Sequence, residues 1–342
     1  VVYRVGCAFG QVLKCSNVVV GYDVRESSLE FANALSDGLR NSGSNVLWLG
    51  LSGTEEVYFG VSEFGADGGI CITASHNPIN YNGMEFIGGN SRPLDSEGEF
   101  FEIQKVAQSG NFLKTRLLGE IKDVVKIARE AYVEKVISFV ELKNTRPLRV
   151  VVNCGNGAAG PAYMQLKEAI GSKFPNFNFI DMFVEPDSTF PNGIPNPLLE
   201  ENRKPTRDAI IFNDADLGVA FDGDFDRCFF FDETGTFISG EYIISLISSI
   251  FLNKEPKSAI IHDPRVVLNI RDIVSNKGGR AIQTKTGHAF VKKAMREENA
   301  IYGGELSAHH YFRDFAYCDS GLVPFLLILE LMGKEKNKLS TL

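Results

Sequence analysis

One pattern occurs three times in this chain and constrains its fold more than any other. Short apolar or β-branched runs alternate with amphipathic stretches in the order β-α-β-α-β. The first block reads "NVVVGYD" (17–23), a helical stretch near 28–42, "NVLWLG" (45–50), another helix, then "GGICITASHNP" (68–78). The second runs from "LRVVVNCGNG" (148–157) through a helix near 160–171, "FNFIDMF" (177–183) and a helix near 198–212 to "LGVAFDGDFDR" (217–227). The third runs from "SAIIHDP" (258–264) through a helix near 265–277, "RAIQTKTGH" (280–288) and a helix near 289–297 to "AIYGGELSAHH" (300–310). Continuous apolar strands separated by helices predict parallel sheets covered on both faces. The expected class is therefore α/β, and 342 residues are too many for one ordinary core. The expected units are residues 1–140, 141–236 and 237–342. The charged stretch 121–146, with a helix from Arg129 to Glu141, and the Gly/Thr turn near 232–240 read as their connectors.

In each block the third strand ends in the most polar loop. Ligands of open α/β sheets bind beyond the carboxyl ends of the strands. Three such loops can converge on one cleft.

Bulk properties narrow the partners. The formal net charge is −8 and no block of basic residues occurs, which argues against nucleic acid or an anionic membrane surface. No run of 18 apolar residues is present. The opening "VVYRVGCAFGQVLK" lacks a charged leader and a cleavage site, so no secretory signal is expected. Six cysteines are scattered without a C-x-x-C, which reads as buried free thiols in a reducing cytoplasm.

The sharpest local signal is "FDGDFDRCFFFDETG". Asp222, Asp224 and Asp226 alternate, and Gly223 supplies a tight turn. Three carboxylates this close repel unless a cation neutralises them. Hard oxygen ligands suit Mg²⁺, which takes few protein ligands plus a phosphate oxygen. Arg227 can hold a phosphate or an aspartate with its planar fork. A calcium EF-hand loop is a poor match, because its sixth position, where that loop requires Gly, is Arg227.

Ser75 and His76 end the third strand of the first block. The G-x-S-x-G of serine hydrolases is absent. In metal-assisted phosphoryl transfer Ser75 would instead carry a phosphoryl group. In "GGELSAHHYFRDFAYCDSG", Glu305, Ser307 and His309 alternate and would face one side of an extended backbone, suiting sugar hydroxyls. Zinc competes for such ligands, but the H-E-x-x-H helix and cysteine partners are missing. Lys285 and His288, in "TKTGHAFVK", are groups that hold an anion.

Taken in order, "TASHNP" (73–78), "DGDFDR" (222–227), "TGHAFVK" (286–292) and "GELSAHH" (304–310) resemble the α-D-phosphohexomutase family over nearly the whole chain. "GELSAHHYFRDFAYCDSG" and "FPNGIPNPLL" are most similar to the bacterial branch that makes mannose 1-phosphate for GDP-mannose. The resemblance implies three related α/β domains with mixed, mostly parallel sheets, and a smaller fourth domain that this chain does not include. It implies a phosphoserine at Ser75 and Mg²⁺ held by that phosphate with Asp222, Asp224 and Asp226. Arg25 and Arg227 would lie near the phosphoryl group, with His76 beside Ser75. Glu305, Ser307 and His309 would grip the sugar, helped by Lys285, Gly287 and His288. The implied reaction interconverts mannose 6-phosphate and mannose 1-phosphate through a bisphosphorylated sugar, with hexose 1,6-bisphosphate as activator, in a monomer or dimer. Alternatives are glucose phosphates as substrate, a metal-dependent sugar-phosphate phosphatase, or a sugar-phosphate-binding protein. Two departures stand out. Glu85, in "YNGMEF", occupies the place of a family lysine that can act in proton transfer, and would be expected to repel a phosphoserine. His76 and Lys285 are candidate substitutes for that lysine. The family's initial "YDIRG"-like segment and its Arg/Ser phosphate loop are also not found.

Overall fold

The computed structural model describes residues 1–113 and 117–342. The first domain contains β1 (Asn17–Tyr22), β2 (Asn45–Leu51), β3 (Gly68–Ile72), β4 (Met84–Gly88), β5 (Arg92–Pro93) and β6 (Ile121–Asp123). The second contains β7 (Leu148–Asn153), β8 (Phe177–Met182), β9 (Leu217–Phe221), β10 (Cys228–Phe231) and β11 (Phe237–Ile238). The third contains β12 (Ala259–His262), β13 (Arg280–Gln283), β14 (Tyr302–Gly304), β15 (His310–Phe312) and β16 (Cys318–Asp319). The sheet orders are β5-β4-β3-β1-β2-β6, β11-β10-β9-β7-β8 and β13-β12-β14-β15-β16. The three repeats therefore share one topology. In each, the first strand lies between the second and third, parallel to both. The third strand then turns back into two antiparallel strands. Those reversals make the sheets mixed rather than wholly parallel, because each polar loop after the third strand closes as a hairpin.

The helices are α1 (Val2–Leu13), α2 (Ser28–Asn41), α3 (Thr54–Glu63), α4 (Glu99–Ser109), α5 (Val125–Ile137), α6 (Ala159–Lys173), α7 (Lys204–Asn213), α8 (Gly240–Lys254), α9 (Leu268–Asn276), α10 (His288–Glu297) and α11 (Leu322–Lys334). The stretch 121–146 is not a simple linker. Ile121–Asp123 pairs with β2, and α5 begins four residues before Arg129 and ends at Ile137. α1, for which the sequence reading had no element, packs closely on α2. A Cβ at Gly6 would lie 2.3 Å from the Leu35 carbonyl oxygen, and one at Gly38 would lie 2.1 Å from that of Tyr3. Only paired glycines permit this approach.

One continuous apolar core runs under all three sheets. It includes Val19, Val57 and Tyr132 of the first domain, Val150, Leu166 and Phe221 of the second, and Ile244, Ile260 and Leu326 of the third. α11 is apolar nearly all round ("LVPFLLILELMGK") and packs on α5, α8 and β10. Such a helix is stable only as a core element. Truncating a fully buried residue such as Leu326 to Ala would cost about 2–5 kcal/mol. All six cysteines are free and buried. Among the described residues, no helix is long and apolar enough to cross a membrane.

Candidate active site

β3 is buried along its whole length and ends in the loop that carries Ser75. Ser75 adopts a left-handed conformation (φ 46°), and its amide donates to Thr73 Oγ1 at 2.9 Å. Arg25 holds the rest of the loop. Its Nη2 donates to the carbonyls of Ser75 (2.9 Å) and Asn77 (2.6 Å), and its Nη1 to those of Pro78 (2.8 Å) and Tyr81 (3.0 Å). Buried Asp23 lies 3.3 Å from Arg25 Nε. Arg25 was expected beside the phosphoryl group; its guanidinium shapes the serine loop through backbone carbonyls, that of Ser75 among them.

The aspartate loop meets this serine from the second domain. β9 is fully buried and β10 returns antiparallel to it, so Asp222, Asp224 and Asp226 are fixed in the turn between them. Ser75 Oγ donates to Asp222 Oδ2 at 2.9 Å. Asp224 Oδ2 accepts from Thr54 Oγ1 (2.7 Å) and Thr73 Oγ1 (3.1 Å). A Cβ at Gly223 would lie 2.5 Å from the Ser75 carbonyl oxygen, so the two loops touch where no side chain fits.

One oxygen from each aspartate lies within 4.8 Å of the others. Asp224 Oδ1 and Asp226 Oδ1 are buried without a hydrogen-bond partner. Burial, and then the charge of Asp222, pushes Asp224 up to about 7. Burial and the charges of Asp224 and Asp222 push Asp226 well above the usual carboxylate range. Orphaned, mutually repelling hard oxygens are the donor set a divalent metal ion requires, so the residues fit one. Asp226, His309 and Asp319 also approach one another, but Lys292 Nζ already lies 2.8 Å from Asp319 and neutralises it.

Arg227 joins the two loops. Its Nε donates to Asp222 Oδ2 at 2.7 Å and its Nη2 to Ser75 Oγ at 2.8 Å. The same Nη2 contacts His76 Nδ1, which is also 3.0 Å from Ser75 Oγ. Burial and the Arg227 charge lower the His76 pKa, so this imidazole is neutral near pH 7.

In the third domain the structure departs from the extended backbone expected for residues 305–309. The segment is a tight turn: Ala308 N donates to the Glu305 carbonyl (3.0 Å), Glu305 N donates to the His309 carbonyl (3.0 Å), and Ala308 has φ 69°. The three side chains still converge, because the turn folds them together. Ser307 Oγ is 3.0 Å and Glu305 Oε2 3.7 Å from His309 Nδ1. His309 Nε2 reaches within 3.7 Å of Asp226, and its backbone bridges to Arg227. Gly287 N donates to Glu305 Oε1 at 2.7 Å. Lys285 stands apart, with its ammonium 5.5 Å over the ring of Phe290.

Glu85 does not face the serine as an unmatched charge. Its Oε1 accepts from Tyr58 Oη and lies 3.3 Å from His288 Nδ1 and 3.9 Å from Lys292 Nζ. Burial opposes its ionisation, but the hydrogen bond and charge of His288, with Lys292 and Tyr58, hold it down at about 2. The expected repulsion of a phosphoserine is thus offset by the His288 imidazole and the Lys292 ammonium, both from the third domain.

Sequence reasoning missed Asp23, Thr54, Thr73, Tyr58, Lys292 and Asp319. Thr73 and Asp23 lie inside the quoted stretches "TASHNP" and "NVVVGYD" without having been given a role, and Thr54 acts through a loop of another domain that its local sequence does not reveal. Lys292 had a signal, since it falls four residues after His288 on α10 and so shares its face.

Ser75 Oγ lies beside His76 Nδ1 but donates to a carboxylate of the three-aspartate cluster, which suits metal-assisted phosphoryl transfer better than a hydrolase triad. The class is thus a phosphotransferring enzyme assembled from three α/β repeats. Comparison with known proteins makes this specific: the chain belongs to the phosphoglucomutase/phosphomannomutase family. The models for its α/β/α domains I, II and III match residues 1–113, 130–235 and 239–342. An Escherichia coli phosphomannomutase is 48% identical over 345 residues, covering 100% of this chain and 75% of that protein. One from Vibrio cholerae serotype O1 is 48% identical over 338 residues, covering 97% of this chain and 73% of that protein. A Burkholderia thailandensis phosphoglucomutase/phosphomannomutase family protein of known structure superposes with TM-score 0.89 at 31% identity, over 98% of this chain and 73% of that one. The chain is accordingly a phosphohexomutase, an enzyme of the isomerase class.

Proposed function

We propose that the chain interconverts mannose 6-phosphate and mannose 1-phosphate, with Ser75 as the phosphoryl carrier. The observation that carries this is the seating of Ser75 Oγ between Asp222 (2.9 Å) and Arg227 (2.8 Å), at the edge of three clustered carboxylates. Mannose as the sugar is supported by the names of the relatives at 46–48% identity.

Asp222, Asp224 and Asp226, with a phosphate on Ser75, would hold Mg²⁺, which would supply neutralisation of the transferring phosphoryl group. The protein groups do the rest. Arg227 donates to Ser75 Oγ and so stabilises the charge that appears there when the phosphoryl group leaves. Arg25 keeps the serine loop in the conformation that presents Oγ. Glu305, Ser307 and His309 offer an acceptor, a hydroxyl and a neutral imidazole to the sugar hydroxyls. Phosphoryl transfer from Ser75 to the free hydroxyl gives a hexose 1,6-bisphosphate. Return of its other phosphoryl group regenerates the phosphoserine, and free bisphosphate would act as activator by phosphorylating Ser75. The six free buried thiols support a reducing, cytoplasmic setting.

The test combines a coupled assay with intact-protein mass. The proposal predicts isomerised sugar phosphate, and a phosphoryl adduct that disappears in Ser75→Ala together with activity. Release of inorganic phosphate alone would make the protein a phosphatase, and an adduct surviving in Ser75→Ala would remove Ser75 as carrier.

A further inference from the structure

In each repeat the turn after the first strand reaches the functional loop after the third. After β1, Arg25 donates to the Ser75 carbonyl at 2.9 Å. After β12, Asp263 Oδ2 accepts from Leu306 N, in the 305–309 turn, at 3.2 Å. After β7, Ala158 N donates to the Gly223 carbonyl at 2.9 Å. The first and third braces are side chains, and each starts from an aspartate that accepts from the amide two residues on: Asp23 from Arg25 (3.0 Å) and Asp263 from Arg265 (2.8 Å). The second has no such pair. Its turn, "CGNGAAG" (154–160), bears on the aspartate loop with backbone alone.

Two close approaches define that bearing. A Cβ at Gly157 would lie 2.7 Å from the Gly223 carbonyl oxygen and 3.2 Å from its Cα. On the far side, a Cβ at Gly223 would lie 2.5 Å from the Ser75 carbonyl oxygen. Gly223 is thus held between the turn behind it and the serine loop in front. Asp222 and Asp224 flank it in sequence, so its depth sets theirs, including the 2.9 Å bond from Ser75 Oγ to Asp222. The turn is itself fixed from outside. Asn156 N donates to the Phe183 carbonyl (2.8 Å), its Nδ2 to that of Glu185 (2.8 Å), and its Oδ1 accepts from Asn192 Nδ2 (2.9 Å). The Asn156 carbonyl accepts from Asp187 N at 2.9 Å.

We infer that Gly157 is a positioning residue for phosphoryl transfer: its missing side chain lets the aspartate loop seat deep enough for Asp222 and Asp224 to meet the serine loop. The inference rests on the mutase reading. Gly155 (φ 61°) and Asn156 (φ 56°) are left-handed, but Gly157 is not, so an alanine can take its backbone angles and only the contact excludes a side chain. Gly223 cannot yield to an added methyl by moving straight ahead, because the Ser75 carbonyl blocks it. The loop must slide instead, and its carboxylates then leave their places around Ser75 Oγ. A misplacement of about 1 Å at reacting groups costs about 10²-fold in rate. Glu305, Ser307 and His309, the proposed sugar contacts, belong to the third domain, so substrate binding should change far less than rate.

The test compares Gly157→Ala with Gly171→Ala, a control on α6 where a Cβ meets nothing within 4 Å. In Gly157→Ala, kcat for mannose 6-phosphate isomerisation should fall about 10²-fold with little change in KM, and the Mg²⁺ concentration for half-maximal rate should rise. Both are read well below the melting temperature on protein that circular dichroism shows to be folded, where lost stability alone would leave them unmoved. Gly171→Ala should match wild type. Should Gly157→Ala not fold, Asn156→Gly replaces it. That change adds no atom, suits the left-handed backbone and frees the turn from Glu185 and Asn192. It should give the same split with a smaller fall, about 10-fold. A wild-type kcat and Mg²⁺ requirement in folded Gly157→Ala, or in Asn156→Gly where Gly157→Ala does not fold, would overturn the inference and leave the mutase reading standing. An equal loss in Gly171→Ala would overturn it as well. A wild type that isomerises nothing would overturn the mutase reading and this inference with it.

Discussion

The Thr54 hydroxyl donates to Asp224 Oδ2 across 2.7 Å, joining the first turn of α3 to the metal loop 170 residues later. Thr73 donates to the same oxygen from the serine strand at 3.1 Å. Two domains are thus pinned on one carboxylate. Thr54→Val should destabilise the protein by about 1–3 kcal/mol, because a buried charged acceptor loses a donor. Adding Thr73→Val should cost more than the sum of the single changes, since the second substitution strips Oδ2 of its remaining donor. Denaturant unfolding of the two single variants and the double variant measures this; simple additivity would show that the threonines act independently.

Arg25→Lys tests whether the loop clamp matters. A lysine keeps the charge but cannot serve four carbonyls from one planar fork. We expect kcat to fall about 10²-fold through misplacement of Ser75. Amide exchange across residues 75–81 should accelerate in the same variant. Unchanged exchange would mean that the loop holds its shape without Arg25.

Two glutamates, Glu55 fully buried and Glu85 partly buried, predict opposite pH effects on stability. Glu55 is fully buried in α3 and accepts from the amides of Gly321 and Leu322, and burial pushes it up to about 8. Its folded state holds a proton that the unfolded chain releases, so stability falls as pH rises from about 4.5 toward 8. Glu55→Gln should flatten that decline by an amount on the order of a few kcal/mol. Glu85, held down at about 2, contributes stability that is complete above about 4.5 and is lost as pH falls toward 2. Glu85→Gln should therefore weaken the protein at neutral pH but not near pH 2. Unfolding free energies across this range decide both.

The aspartate cluster predicts a response to divalent cations. Added Mg²⁺ should raise the melting temperature, with stabilisation of about 2.7 kcal/mol at a hundredfold excess over Kd. Asp226→Asn replaces a buried carboxyl whose ionisation is opposed by burial and by its aspartate neighbours, so the cation-free variant should melt at least as high as cation-free wild type. The variant should also lose most of the cation response. A variant that still gains fully from Mg²⁺ would place the cation elsewhere.

The strands and their order of use were legible because each repeat contains apolar runs at the right spacing, and the three polar loops follow directly from them. The 305–309 turn was not legible. Alternating Glu305, Ser307 and His309 suggested an extended segment, but Ala308 takes a left-handed conformation and closes the turn. α1 was also missed, because its apolar face answers to α2 and α4 and not to a local strand pattern. The meaning of Glu85 was the least accessible. Its partners His288 and Lys292 lie in another domain, about two hundred residues away, and no local motif pairs them.

The undivided core beneath the three sheets bears on how a bisphosphate could turn over. Domains that swing need a boundary they can part along, and here α11 is buried from residues Leu322 to Leu329 in the same cluster as α3, α5, α6 and α8. Opening that seam would wet a large apolar surface, at about 25 cal/mol for each Å² exposed. Residues 1–113 and 117–342 therefore act as a fixed socket. On the proposed reaction, the bisphosphate would have to turn against stationary walls, and the time it spends unbound from them would set how often it escapes before the second transfer.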